Sequence, residues 1–478
     1  VKYRRIRDSV RPNGVSIGRR CEEAYAAFWR IFPSGGAERN FITSGDGTGR
    51  NVSAEQATQT VSLTDVSLRV MMLGTVPTRP AQHDADASET RFTVKIVDLQ
   101  VIPFRTPRPV FANGRAYPDA TTVQTLTKVI TDEGAEGYYF GGSGHGDLDG
   151  LSPDQRGAVR GRLKHLVLGQ DPFDREKFWH WLWVANVEEN LISLLDMALW
   201  DLQGRAFGVP IHKLLGGCRD RVRAYASTYP NMGTPEDYAE HAATCQAQGY
   251  THYKIHPYYF WDSVKQVADP GRPSHIEQDI EVCRAVRARV GEKMVLSFDP
   301  WGTYRTYEEA YRVGRELERL NFYWYEHPMP EYRVAAYEKL CAELDIPILS
   351  PEIAAGSLYT RADWIRRGAS DMSRIDVLRG GITGVKKAVS VCEAYGVKCE
   401  IHMSGFGNLQ ILGATSEDVC EYYERGLLAP GVDTETPPPY LEAIGDPMDP
   451  DGYVRVPQEP GMGYRIVWDY INENRVDG

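Results

Sequence analysis

Hydrophobic and polar residues alternate from Phe92 to Ile102, the period of two that a half-buried strand requires. Residues 127–131 predict a second strand. Asp132-Glu133-Gly134 is a turn signal, and residues 136–140 return as a third strand. Together they predict an antiparallel meander. The spacing then changes to that of a helix over 188–206, where Leu191, Leu194, Leu195, Ala198 and Leu202 share one face. Strands followed by helices predict an α+β domain over 91–217.

A different rhythm runs from about residue 222 to residue 442. Short apolar runs recur at 251–255, 294–298, 322–325, 346–349, 375–378 and 397–401. Amphipathic stretches at 276–290, 307–320, 334–344 and 384–395 separate them. Strands alternating with helices predict βα units and a parallel sheet. About eight such units over 218–445 predict a closed βα barrel, an α/β fold.

Composition alters this picture mainly at the N-terminus. The 478 residues are 42% hydrophobic and 25% charged, ordinary for a globular protein. No run of about 18 uncharged apolar residues occurs, so no membrane span is expected. The net charge is −11 and no basic stripe stands out, which argues against nucleic acid as a partner. Eight cysteines, none in a CxxC pair, read as reduced core thiols of a cytoplasmic protein. Residues 1–90 are rich in Arg, Ser, Thr and Gly and predict a disordered extension, or a mis-called start at Val1. Arg19-Arg20 precedes Cys21-Glu22-Glu23 rather than an apolar stretch, so a secretory signal is not expected.

Polar residues at the strand ends carry the chemistry. Asp299, Glu326, Glu352, Asp376 and His402 each follow an apolar run, at intervals of 27, 26, 24 and 26 residues, about one βα unit each. In a βα barrel the C-terminal strand ends converge on one mouth. One acid after a strand is commonly a loop residue or a helix cap; three in matching register are not. Three converging carboxylates repel unless a cation neutralises them, and an all-oxygen set suits Mg²⁺. His145 in its glycine-rich loop reads as part of a flexible loop, and Asp446, Asp449 and Asp451 as a turn.

Several stretches carry a family resemblance. They are 196–204 (Asp-Met-Ala-Leu-Trp-Asp-Leu-Gln-Gly), Leu214-Leu215-Gly216-Gly217, Thr131-Asp132-Glu133-Gly134, Tyr325-Glu326-His327-Pro328, Gly380-Gly381-Ile382-Thr383 and Tyr440-Leu441-Glu442. From about Arg91 onward the chain resembles the enolase superfamily, in particular its mandelate racemase-like branch. The resemblance implies a modified TIM barrel, (β/α)₇β, with an N-terminal α+β capping domain, and residues 446–478 returning to the cap. It implies Asp299, Glu326 and Glu352 as Mg²⁺ ligands, and Asp376 with His402 as a dyad. Lys254 and His256 fall where the family often has Lys-x-Lys, and Glu442 would be an acid near the substrate carboxylate. A Lys or His base working beside Mg²⁺ is the superfamily's known pattern.

The chemistry implied is removal of the weakly acidic proton beside a carboxylate. Residues two apart on a strand share a face, so Lys254 and His256 can both enter the barrel. Two candidate bases allow one to remove a proton and the other to assist a departing hydroxyl. The expectation is a hydro-lyase, an acid-sugar dehydratase giving a 2-keto-3-deoxy acid. The alternative is a racemase, epimerase or cycloisomerase working through the same enediolate. The partner is a small carboxylate substrate, and the resemblance implies a homo-oligomer. Three positions depart from the pattern: His256 for the second Lys, His327 for the second Glu of Glu-Glu-Pro, and Pro300-Trp301 after Asp299.

Overall fold

A computed structural model describes residues 94–112, 114–142, 149–257, 261–262, 267–268 and 276–477. Residues 1–90, His145 and the aromatic residues Tyr258, Tyr259 and Phe260 lie outside the described residues. In the first domain β1 (Ile96–Pro107) pairs antiparallel with β4 (Thr121–Thr131), and β4 with β5 (Glu136–Phe140). The short hairpin β2 (Val110–Ala112) and β3 (Arg115–Tyr117) interrupts the meander, a feature the alternation did not predict.

Helix Glu189–Phe207 covers this sheet and ends at Gly208, whose left-handed φ of 68° closes it. Its acids explain the motif they belong to. Asp196 accepts the backbone N–H of Thr383 at 2.9 Å. Asp201 accepts the N–H groups of Tyr138 (2.8 Å) and Met462 (2.7 Å) and Arg205 Nε (2.7 Å). Gly381 must be glycine, because a Cβ there would lie 2.3 Å from Asp196 Oδ2 and φ is +65°. One helix thus ties the cap to the second domain and to the C-terminal segment.

The second domain is an eight-stranded parallel barrel. Its strands are β6 (Arg221–Thr228), β7 (His252–Ile255), β10 (Val295–Phe298), β11 (Tyr325–Glu326), β12 (Ile348–Leu349), β13 (Met372–Ile375), β14 (Lys398–Ile401) and β15 (Tyr422–Leu428). The pair β8 (Trp261–Asp262) and β9 (Val267–Ala268) sits in the connection after β7. β15 pairs in parallel with β6. Between β14 and β15, Cys399 N–H donates to Val419 O (2.8 Å), and the Glu400 carboxylate accepts the N–H groups of Glu421 and Tyr422 (3.2 Å each). Among the described residues seven helices link the eight strands, the (β/α)₇β form expected. Thr234 and Thr306 open two of them with reciprocal capping boxes to Asp237 and Glu309.

Two strand assignments are corrected. β13 occupies Met372–Ile375, not 375–378, because Ser373 and Arg374 look polar in sequence but are fully buried. The eighth strand, β15, is missing from the apolar runs because it carries Glu424 and Arg425, both buried. After the barrel, β16 (Tyr453–Arg455) pairs antiparallel with β6. The chain then reaches β1, where Arg105 N–H donates to Asn474 O (2.9 Å) and Val476 N–H to Pro103 O (3.0 Å). Among the described residues, no helix is long and apolar enough to cross a membrane.

Candidate active site

Side chains of a strand alternate across its faces, so the barrel interior is built in layers. His252, Trp324, Met372 and Tyr422 form the floor, with the His252 ring 4.5 Å from Trp324 and 4.8 Å from Tyr422 between centroids. Two residues further along the same four strands stand Lys254, Glu326, Arg374 and Glu424, all buried. Their charges alternate around a closed ring. Lys254 Nζ lies 3.1 Å from Glu326 Oε2 and 2.8 Å from Glu424 Oε1. Arg374 Nε lies 2.7 Å from Glu326 Oε1, an ion contact without hydrogen-bond alignment, and Arg374 Nη2 lies 2.5 Å from Glu424 Oε2. Two cations and two anions balance, which makes so deep a charged layer tolerable.

The mouth lies one step above this ring. Asp299 follows β10, Glu352 the loop after β12, Asp376 follows β13 and His402 follows β14. His402 Nδ1 is 2.8 Å from Asp376 Oδ2, and its Nε2 is 3.0 Å from Glu352 Oε1. His256 Nε2 is 2.9 Å from Asp299 Oδ2, while its Nδ1 is 2.8 Å from the Thr228 carbonyl. A carbonyl only accepts, so His256 Nδ1 carries a proton and donates it to Thr228 O. His327 Nδ1 is 2.5 Å from Glu352 Oε2. Donor atoms of Asp299, His327 and Glu352 all lie within 4.8 Å of one another.

Charge settles the proton states. Burial alone would lower the Lys254 amine, but Glu326 and Glu424 hold it well above its ordinary value, so it stays a cation. Burial also opposes charge on His402, yet the Glu352 charge and the Asp376 hydrogen bond lift it to about 10. Burial would raise the Glu352 carboxyl, but His402 and His327 hold it well below its ordinary range. Desolvation prevails at Glu326, whose carboxyl is raised despite Arg374 and Lys254.

A cavity of about 530 Å³ opens above this mouth. The barrel contributes His256, Trp301, Glu352, His402 and Glu424, and the cap contributes Thr106, Arg108, Thr122 and Gln124. Trp301 N–H donates to Asp299 Oδ1 (2.9 Å), so Oδ2 is the oxygen left facing Lys254 and His256. Under Glu352 the backbone is clamped from both sides. The buried Glu331 carboxylate accepts the N–H groups of Glu352, Ile353 (3.0 Å) and Ala354 (2.6 Å). Arg361 donates to the carbonyls of Pro351 (3.3 Å), Glu352 (2.8 Å) and Ala354 (2.6 Å).

The family models for "Enolase C-terminal domain-like" and for "Mandelate racemase / muconate lactonizing enzyme, N-terminal domain" match residues 237–470 and 105–216. The chain belongs to the enolase superfamily. It is 35% identical to D-glucarate dehydratase from Agrobacterium tumefaciens, whose crystal structure is a complex with magnesium; the match covers 80% of this chain and 99% of that one, with a TM-score of 0.71. It is 29% identical to arabinonate dehydratase of Saccharolobus solfataricus, over 71% of this chain and 87% of that protein. It is 28% identical to D-galactarolactone cycloisomerase of Agrobacterium fabrum, over 73% of this chain and 91% of that protein.

Seven of the eight residues singled out in the sequence converge at the mouth or on the ring just below it: Lys254, His256, Asp299, Glu326, Glu352, Asp376 and His402. Glu442 does not. It is exposed, off the barrel, and its N–H donates to Arg465 O. The acid of the eighth strand that turns into the barrel is Glu424, the third residue of β15, in the ring with Lys254 and Arg374; it lies 22 residues after His402, close to the barrel period. That interval was the signal available. Arg374, Glu331 and the inward-facing His327 were also missed as parts of the site.

Proposed function

We propose that this protein dehydrates an acid sugar, removing the proton at C2 and releasing the C3 hydroxyl as water. The observation that carries the reading is a pair of imidazoles, His256 and His402, lining one cavity with each Nδ1 committed to an acceptor. Each therefore presents Nε2 as a proton-exchanging atom. One abstracts the C2 proton and the other donates to the departing hydroxyl. The enol formed then tautomerises to a 2-keto-3-deoxy acid. The similarity to several acid-sugar dehydratases supports this class.

The clustered carboxylates fit a divalent cation. In the family's pattern Asp299, Glu326 and Glu352 would hold Mg²⁺. When bound, it would supply positive charge where the substrate carboxylate gains a second negative charge. Lys254, kept cationic by Glu326 and Glu424, adds fixed positive charge just below. Asp376 holds the His402 ring with Nε2 forward and stabilises its protonated form.

The test is a screen of purified protein with Mg²⁺ against four- to six-carbon mono- and diacid sugars, read as 2-keto-3-deoxy acid, with an EDTA control. An EDTA-sensitive hit supports dehydration and names the substrate. Two facing imidazoles also suit racemisation or epimerisation, and a cycloisomerase is among the relatives. Deuterium entering C2 from solvent without loss of water would favour racemisation or epimerisation over dehydration. Ring opening or closure without loss of water would favour a cycloisomerase.

A further inference from the structure

The inference concerns the cavity wall opposite His402, and it rests on the reading of this mouth as the place where an acid sugar is dehydrated. Around the barrel β10 stands four strands from β14 in either direction. Trp301 comes two residues after Asp299 at the end of β10, and His402 follows β14. The two therefore lie on opposite sides of the mouth. Both line the cavity of about 530 Å³. His256 lines it too, on the Trp301 side, because β7 pairs with β10.

Trp301 holds a costly backbone conformation. Its φ is +50°, and that of Gly302 is +71°. A large side chain rarely adopts this left-handed region, and residues that do so cluster at active sites. The turn itself is held by other means. Trp301 N–H donates to Asp299 Oδ1 (2.9 Å), Gly302 N–H to His327 O (2.5 Å) and Tyr304 N–H to Pro328 O (3.2 Å). The Tyr304 hydroxyl donates to buried Asp279 (2.6 Å). None of these bonds requires an indole at position 301, and glycine would make the same backbone bond without strain. What the indole adds is a broad, rigid face on a half-buried residue at the cavity.

We propose that the Trp301 indole determines substrate length, by taking the C–H face of the sugar chain beyond C3. In the dehydratase reading C2 and C3 sit between His256 and His402, so the rest of the chain continues along the cavity wall. The face of an aromatic ring is negative and apolar, and it complements the weakly positive C–H bonds of a sugar. Thr106, Thr122 and Gln124 of the cap line the same cavity and suit the hydroxyls. A six-carbon acid has three carbons to lay on the indole, and a four-carbon acid has one. The substrates are therefore the longer acid sugars.

The experiment uses the full chain with Mg²⁺ and measures kcat and KM on matched four- and six-carbon acid sugars. Wild type should favour the six-carbon acids. Trp301→Gly should lower the six- to four-carbon ratio of kcat/KM by about 10-fold or more, mainly through KM. Trp301→Phe keeps a ring and should recover part of the loss. Calorimetric titration with the same acids in a His402→Asn background reads binding apart from turnover, and Trp301→Gly should weaken six-carbon binding there by a similar factor. A thermal melt checks each variant, and Trp301→Asn, which also tolerates a left-handed φ, replaces Trp301→Gly if that does not fold. A wild-type preference for four-carbon acids, or an unchanged ratio in the Trp301 variants, overturns the proposal. So does failure of every six-carbon acid to bind. Acid-sugar turnover with an unchanged ratio would sink this inference and leave the dehydratase reading standing. Six-carbon binding that depends on Trp301, without turnover of any acid sugar by wild type, would do the reverse.

Discussion

His402 Nδ1 lies 2.8 Å from Asp376 Oδ2, and the two residues end neighbouring parallel strands. The strand pairing brings the acid and the imidazole together, so the contact is set by register rather than by a flexible loop. His402→Asn should lower turnover by about 10²–10⁴-fold, the range for loss of a positioned acid or base. Asp376→Asn keeps the shape but loses the acceptor for Nδ1–H, and should cost about as much as in other oriented imidazoles, up to ~10⁴-fold. Both variants should fold, because neither leaves a new buried charge without a counter-ion. Turnover of His402→Asn near wild type on the true substrate would remove the dyad from the mechanism.

Glu424 and Glu442 make opposite predictions. Glu424 is buried, closes the ionic ring with Lys254 and Arg374, and accepts Ser227 Oγ–H at 2.7 Å. Glu424→Gln should leave Lys254 and Arg374 with one anion between them. That costs about 3–5 kcal/mol of stability, the range for breaking a buried pair, and abolishes turnover. Exposed Glu442→Ala should change neither melting temperature nor kcat/KM. A thermal melt and one assay per variant separate the two assignments, and an inactive, folded Glu442→Ala would restore the sequence-based one.

The contrast also marks how far the sequence was legible. The strand–helix rhythm was plain because most barrel strands are apolar runs, and Asp299, Glu352, Asp376 and His402 stood at their ends in a steady period. The same rule misled where a strand is built around buried ions. Arg374 and Glu424 sit on strands β13 and β15, so those strands looked polar, one was shifted and the other overlooked. Their charges are neutralised by partners on other strands, at separations of about 50 residues for that pair. No local pattern encodes such a partner. His327 was noticed only as a substitution, because its direction depends on a left-handed backbone that sequence does not announce.

Glu331 supplies a prediction about positioning. Its carboxylate takes three consecutive N–H groups at residues 352–354, and Arg361 holds the carbonyls of the same turn. This fixes the direction of Glu352 without Glu331 touching the substrate cavity. Glu331→Gln should weaken divalent-cation affinity by about 10–100-fold, as loss of an outer support usually does. Calorimetric titration measures it, and Glu331→Asp should recover part of the loss. Unchanged affinity in a folded Glu331→Gln protein would show that Arg361 alone sets the turn.

The last prediction concerns pH in metal-free protein. Burial opposes charge on both His402 and His327, but carboxylates lift them to about 10 and about 9. A group whose proton is held more tightly in the folded state stabilises fully below its unfolded pKa, about 6.5 for histidine. That stabilisation is lost as pH rises through the folded value. Stability should therefore fall between pH 6.5 and 8.5, before buried thiols, tyrosines and lysines complicate the curve. Other buried acids such as Glu400, pushed up to about 8 by burial, add to the same slope. The informative quantity is thus the difference between proteins. His402→Asn, which keeps every other group, should lose less stability across this window than wild type does, read as the change in melting temperature in EDTA. A bound divalent cation supplies positive charge beside Glu352 without a titrating proton, so adding Mn²⁺ should flatten the wild-type curve toward that of the variant. Parallel curves for wild type and His402→Asn in EDTA would mean that the Glu352–His402 contact does not hold a proton in the folded protein.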